Sequence, residues 1–359
     1  MSDTTPTRPA ADPFPATPEE ARRVAAIHER TLIVDALTTS VLDRDYLAVL
    51  RAAGVDATNY TVADTSLVHG QVLQDDFETA CRKIAMWLRR LAEMKDVAGL
   101  ATTVAEVDAL KAQGRFAVFF GFQNASPIED NVDFLDVFHR LGVRFIQLTY
   151  NARNMVGSGS GERNDDGLSD LGVAAVQRMN ELGIVVDLSH CAYRTTMDAI
   201  EASSKPVAVT HANMRALADT PRNKSDDQLR ALVRKGGIVG VKHMIGDMVS
   251  KKAAETTVED VADNIEHAIR VVGLEHVCIG TDFSGTTSAM GLSDAEINAI
   301  RARWPNAYLG SRSKPRWFRT IADLPNLTTV LLRRGYSEED IAAIYGGNLR
   351  RFMLEVIGA

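Results

Sequence analysis

Short runs of apolar, often β-branched residues recur along the chain, and longer stretches with helical spacing separate them. The runs are Leu32–Leu37, Val55–Tyr60, Phe116–Phe122, Val143–Tyr150, Ile184–His190, Pro206–His211, Gly237–His243 and Val277–Phe283. Near-continuous hydrophobicity, rather than strict alternation, marks strands covered on both faces, as in a parallel sheet wrapped by helices. Glycines at 142, 183 and 236–237 precede three of the runs and read as helix C-terminal punctuation leading into a strand. Segments 166–182 and 225–235 are amphipathic helices by their spacing, the second opening on Ser225 as its N-cap.

Eight such units match the strand count of a (β/α)8 TIM barrel. An open doubly wound sheet would need a glycine-rich phosphate turn after an early strand, and neither G-x-G-x-x-G nor G-x-x-x-x-G-K stands in that context. The GSGSG stretch at 157–161 follows a strand but leads into polar residues, so it reads as a flexible loop. Length alone would allow two domains. The strand count favours one barrel over residues 21–359, with a lid-like insertion around 286–318 that carries Trp304, Pro305, Lys314, Pro315 and Trp317. Residues 1–20 are rich in Pro, Thr and Asp and read as an extended or disordered arm.

Composition narrows the partners. A net charge of −7 without a basic cluster excludes a nucleic-acid footprint. No apolar run approaches the ~20 residues needed to span a bilayer, and no signal peptide is visible, so a cytoplasmic location is expected. Cys81, Cys191 and Cys278 are too few and too scattered for a disulfide framework and read as free thiols.

Polar residues at the ends of the runs carry the functional signal, because barrel strands converge on one mouth. They are Asp35, Gln123, Tyr150, His190, His211, Lys242 or His243, and Asp282. Two histidines on consecutive strands can converge on one divalent cation through neutral imidazole nitrogens. Asp282, across the mouth, could ligate that cation or move a proton to and from an activated water. His28, His139, His267 and His276 lie in helical contexts and His69 in a loop, which suits solvated or capping roles. Trp87 sits on a helical stripe and reads as core packing.

Several stretches resemble the membrane (renal) dipeptidase family of the amidohydrolase superfamily. They are VVDLSH at 185–190, the segment from Val209 to Leu229, HVCIGTDFSG at 276–285, and residues 327–352, together with VRFIQLTYN at 143–151 and residues 106–123. The resemblance implies a TIM barrel in which two zinc ions share a bridging Glu, and a homodimer. It assigns His190 and His211 to one metal, Asp282 to assisting the other, and Arg222 to the substrate carboxylate. Elsewhere this chain departs from the family. The family's first-strand pattern Asp-Gly-His-Asn-Asp is here Asp35-Ala36-Leu37-Thr38-Thr39, so Leu37 and Thr39 replace two metal ligands. Gln123 stands at the bridging Glu, and Tyr150 at a His that polarises the scissile carbonyl. Leu cannot ligate, and Thr and Gln offer only neutral oxygens. One metal site is therefore expected to be lost, leaving one divalent ion, zinc by preference, on His190, His211 and Gln123.

Three readings stay open at this level. The first is hydrolysis of a dipeptide or dipeptide-like amide by a metal-activated water, with Asp282 moving the proton. Arg222 and Lys242 would bind the substrate carboxylate, and Tyr150 would donate to the oxyanion. The second is a metal-independent reaction on a small carboxylate, using Asp282, His190 and Lys242 as acid and base. The third is a non-catalytic homologue whose barrel binds a small molecule or a partner protein.

Overall fold

The computed structural model describes residues 13–63, 65–68, 71–243, 255–283 and 314–359. Eight parallel strands follow one another in chain order: β1 (Val34–Thr38), β2 (Ala57–Ala63), β3 (Phe116–Phe122), β4 (Val143–Gln147), β5 (Val185–Asp187), β6 (Ala208–Ala212), β7 (Ile238–Val241) and β8 (Val277–Ile279). Each pairs in parallel with the next. A parallel bridge between Thr38 and Phe283 closes the ring. Around it the Asp282 amide donates to Leu37 O at 3.0 Å, and the Thr39 amide to Phe283 O at 3.2 Å. The fold is a (β/α)8 barrel.

Two apolar layers hold it. One packs the outward strand residues, such as Val118, Phe120, Ile146 and Val186, against the surrounding helices. The other gathers Val34, Ala57, Phe119, Phe145, Val185, Ala208, Ile238 and Cys278 with Leu349, Phe352, Met353 and Val356 of the C-terminal helix Asn348–Val356. Most of those strand residues lie at or next to the N-terminal ends, so this helix plugs the barrel floor and leaves the other end as the mouth.

The helices obey the local rules. Asp170–Leu182 starts at Ser169, whose hydroxyl accepts from the Gly172 amide at 3.0 Å, and stops at Gly183 with φ 74°, a left-handed cap that glycine adopts without Cβ strain. Asp226–Arg234 starts at Ser225, whose N–H donates to Gln228 Oε1 at 3.0 Å. Trp87 is buried and meets Tyr60 edge-on at 4.5 Å.

Several expectations change. Helix Pro18–Arg30 begins inside the stretch expected as an arm, started by a Thr17–Glu20 capping box. Phe14 packs edge-on against Trp317 at 5.7 Å, and Arg333 donates to Pro15 O at 2.8 Å, so the described part of that stretch is docked. Most of the expected lid, residues 286–313, lies outside the described residues, as does His69. The described end of the lid is folded: the Arg316 amide donates to Thr256 O at 2.9 Å, and Phe318 is buried. The strands are shorter than the apolar runs, leaving His190 and Asp282 three residues beyond the last ladder positions of β5 and β8. A two-stranded hairpin, Thr65–Val68 with Gln71–Gln74, and a short strand Ala98–Leu100 beside β3 were not foreseen.

His28 also differs from its expected solvated role. It is buried, with Nδ1 2.8 Å from Ala53 O and Nε2 2.7 Å from Thr328 Oγ1. Burial pushes its affinity for a proton below the ordinary histidine value.

Candidate active site

The mouth collects the loops that follow β3, β4, β5 and β6. His190 and His211 meet there with their Nε2 atoms 3.0 Å apart. Behind each ring lies a partner for Nδ1. Asn151 Oδ1 is 2.7 Å from His190 Nδ1, and Thr210 Oγ1 is 2.8 Å from His211 Nδ1. Thr210 in turn donates its hydroxyl to Asp187 Oδ2 at 2.6 Å, so its oxygen accepts from His211. Asp187 is buried at the end of β5, where it also accepts from the Ser189 hydroxyl and from the Ser189 and Thr210 amides. Burial raises its pKa above the ordinary carboxylate value despite those bonds. Tyr150 stacks on His190 with centroids 4.3 Å apart and planes 25° from parallel.

Both imidazoles sit well below the usual histidine pKa, first because they are buried and then because of the Arg222 guanidinium, with the Lys242 and Lys224 ammonium groups adding to it. They are neutral bases at physiological pH, the state in which imidazole ligates a metal.

Gln123 is brought to the same pair, its side-chain nitrogen 3.5 Å from His211 Nε2. Its backbone carbonyl accepts from Gln147 Nε2. Arg222 is buried against both histidine loops: Nη1 donates to Ser189 O at 2.6 Å and Nη2 to His211 O at 2.7 Å. Its Nε is buried without a hydrogen-bond partner among the described residues. Lys242 is buried at the end of β7. Its neighbour His243 stacks on Phe283 at 3.8 Å with Nδ1 at Thr281 O, and burial pushes it down to about 3. Of the Lys242–His243 pair, Lys242 is the one whose charge is felt at the two imidazoles.

Asp282 lies on the opposite rim, half-buried, with φ 56°. Such a backbone conformation is uncommon outside Gly, Asn and Asp, and it recurs at functional sites. Asp35 supports it from β1. The Asp35 carboxylate accepts from the Thr281 amide at 2.7 Å and from the Thr281 hydroxyl at 2.5 Å. Burial outweighs those bonds and pushes Asp35 up to about 7, with the Asp282 charge adding to it. Where the family resemblance implies ligands on β1, Leu37 is buried and Thr39 is drawn to Phe283 O.

The donor set decides what metal the mouth could hold. Among the described residues, no three His, Cys, Asp or Glu side chains form a metal-holding group. Two imidazoles, with the Gln123 carboxamide turned to present its oxygen in place of its nitrogen, fit a single ion whose remaining ligands come from water or substrate.

The family model for membrane dipeptidase, peptidase family M19, matches residues 25–298. The chain belongs to the membrane dipeptidase family. Dipeptidase verJ of Clonostachys rogersoniana is 32% identical over 262 residues, covering 72% of this chain and 60% of that protein. Dipeptidase 3 of Rattus norvegicus is 28% identical over 259 residues, covering 70% of this chain and 48% of that protein. The matched region thus spans between about half and three-fifths of these relatives' lengths. Among solved structures, an amidohydrolase from Pseudomonas aeruginosa superposes with a TM-score of 0.84 at 31% identity, covering 94% of this chain and 99% of that one. A Rhodobacter sphaeroides metallo peptidase, solved with a phosphinate mimic of L-Ala-D-Ala, shares the fold with a TM-score of 0.74 at 20% identity over 91% of this chain and 99% of that one.

Within this M19 barrel, four residues behind the imidazoles escaped the reading of strand ends: Asn151, Asp187, Ser189 and Thr210. Their signal was present as polar residues inside or just past apolar runs, in VVDLSH, VAVTH and QLTYN. A hydroxyl or carboxamide there has to find a partner once buried.

Proposed function

We propose that this M19 chain is a metal-dependent hydrolase that cleaves a dipeptide or dipeptide-like amide bearing a free carboxylate. One observation carries the reading. Two neutral imidazoles turn their Nε2 atoms to a common point, 3.0 Å apart, at the mouth of a membrane-dipeptidase-family barrel. His190 and His211, with the Gln123 carboxamide, would hold one divalent ion, zinc by chemical preference. When bound, that ion supplies an acidified water and polarises the scissile carbonyl.

The chain's own residues supply the rest. Asp282, on the far rim, takes and returns the proton that moves from water to the leaving amine. The Tyr150 hydroxyl, on a ring held against His190, donates to the developing oxyanion. Lys242 and the remaining N–H groups of Arg222 attract the substrate carboxylate. No helix among the described residues is long and apolar enough to cross a membrane. A cytoplasmic site of action remains part of this proposal.

Metal analysis with a dipeptide panel tests the reading. The expected result is one equivalent of zinc that is lost in His190→Ala, with hydrolysis of at least one member of a panel including D-residues at the C-terminal position. Metal-free protein that turns over no member would sink it. The absence of a three-ligand group among the described residues favours a second reading, in which the mouth binds a small carboxylate without hydrolysing it. Metal-independent binding of a dipeptide or its phosphinate mimic would decide for that one.

A further inference from the structure

The GSGSG stretch, read from composition as a flexible loop, is built into the site. The Ser160 amide donates to His190 O at 2.8 Å, and the Gly161 amide to Asn151 O at 2.8 Å. Gly159 bridges to Cys191. A Cβ at Gly159 would lie 2.3 Å from the Asn151 carbonyl carbon and 2.5 Å from its oxygen, so no larger residue fits unless the backbone moves. The loop therefore grips both Asn151 and the backbone around His190. Asn151 is fully buried and adopts φ 58°, a left-handed conformation that Asn tolerates better than most residues. Its Oδ1 faces His190 Nδ1 at 2.7 Å and also takes the Ser160 hydroxyl at 3.3 Å.

We infer that Asn151, clamped by the 157–161 loop, is a positioning residue that fixes His190 as the Nδ1–H tautomer. A carboxamide oxygen can only accept, so the imidazole facing it must carry its proton on Nδ1 and a lone pair on Nε2. Thr210 does the same for His211, because its hydroxyl proton is already given to Asp187. Two lone pairs then face each other across 3.0 Å, an arrangement that is unfavourable until a cation lies between them. The loop thereby holds the pair in readiness for one. This inference rests on the metal-dependent reading of the mouth, but its geometry can be tested without turnover.

The alternative is specific. A carboxamide turned end for end would donate Nδ2 to His190 Nδ1 and force the proton onto Nε2. Asn151 Nδ2, buried and without a hydrogen-bond partner among the described residues in the present orientation, makes that alternative the one to test.

Long-range 1H–15N correlation spectra of the metal-free, full-length protein labelled at histidine report the tautomer directly, with His190→Gln used to assign the resonances. The wild-type protein and Asn151→Asp, which keeps an acceptor, are expected to show His190 protonated on Nδ1. Asn151→Ala is expected to show mixed tautomers. Cobalt(II) affinity followed by its visible absorption should fall roughly 10–100-fold in Asn151→Ala and recover in Asn151→Asp. An Nε2–H tautomer in the wild type overturns the inference, as does a His190 spectrum unchanged in Asn151→Ala. Absence of dipeptide hydrolysis alongside the expected spectra would refute the functional reading and leave the positioning role standing.

Discussion

Arg222 makes the sharpest claim about how this mouth is supported, because two of its nitrogens hold the carbonyls of Ser189 and His211 at 2.6 and 2.7 Å. An ammonium on a shorter, unforked stem cannot serve both carbonyls, so Arg222→Lys leaves one buried acceptor unsatisfied at a cost of about 1–3 kcal/mol. Arg222→Leu leaves two, or about 2–6 kcal/mol, part of it offset by removing a buried charge. Unfolding entropy of roughly 2.1 cal/mol/K per residue over 359 residues makes each kcal/mol worth about 1.3 °C in Tm. Arg222→Lys should therefore lower Tm by about 1–4 °C, and Arg222→Leu by up to about 8 °C. Calorimetry with a fixed scan rate measures this, and KM for an active dipeptide read in parallel separates support from substrate recognition. If both variants melt with the wild type while only KM rises, Arg222 is a substrate clamp alone and the supporting role is wrong.

Tyr150→Phe keeps the ring on His190 but removes the hydroxyl, and should lower kcat about 10²–10³-fold with little change in Tm; an unchanged kcat removes Tyr150 from the oxyanion role. His28 is held below its ordinary pKa by burial. The unfolded chain therefore binds more protons near its ordinary pKa, and the stability His28 gives is present above that value and lost as pH falls. Urea unfolding at stepped pH should show the gap between wild type and His28→Gln shrinking from pH 7.5 to 5.5, and a constant gap would refute this. Asp35 works with the opposite sign, since burial raises it to about 7 and the folded state binds more protons between its ordinary value and that one. Relative to Asp35→Asn, the wild type should lose stability as pH rises from 5 to 8 in the same measurement; a difference of the other sign would contradict the assignment.

The barrel was legible because most strand positions are buried on both faces and therefore read as near-continuous apolar runs. Where each ladder stops was not legible. In VVDLSH the hydrophobic run continues through Leu188, but Asp187 already turns its carboxylate to the Ser189 and Thr210 amides and ends the strand. The hairpin Thr65–Val68 with Gln71–Gln74 escaped because its strands are four residues long and partly polar. His190 and His211 were found because strand ends converge by geometry. Asn151 was not singled out, because its importance depends on a loop of glycines whose role is the room they leave. His28 was misread because its partner Thr328 lies 300 residues away in sequence, beyond anything helical periodicity can show.

The closing seam of the barrel has a consequence for any attempt to add metal ligands on the first strand. Phe283 O gathers the hydroxyls of Thr38 at 3.0 Å and Ser40 at 2.9 Å along with the Thr39 amide at 3.2 Å. The β1 turn that would carry such ligands is thus already employed as a fastener. Writing Leu37→His and Thr39→Asp into it would set a carboxylate beside a carbonyl that wants donors, and would open a dry, packed position to an imidazole. Two substitutions would loosen the barrel before they captured an ion, so a successful retrofit would have to bring a replacement donor for Phe283 O with it.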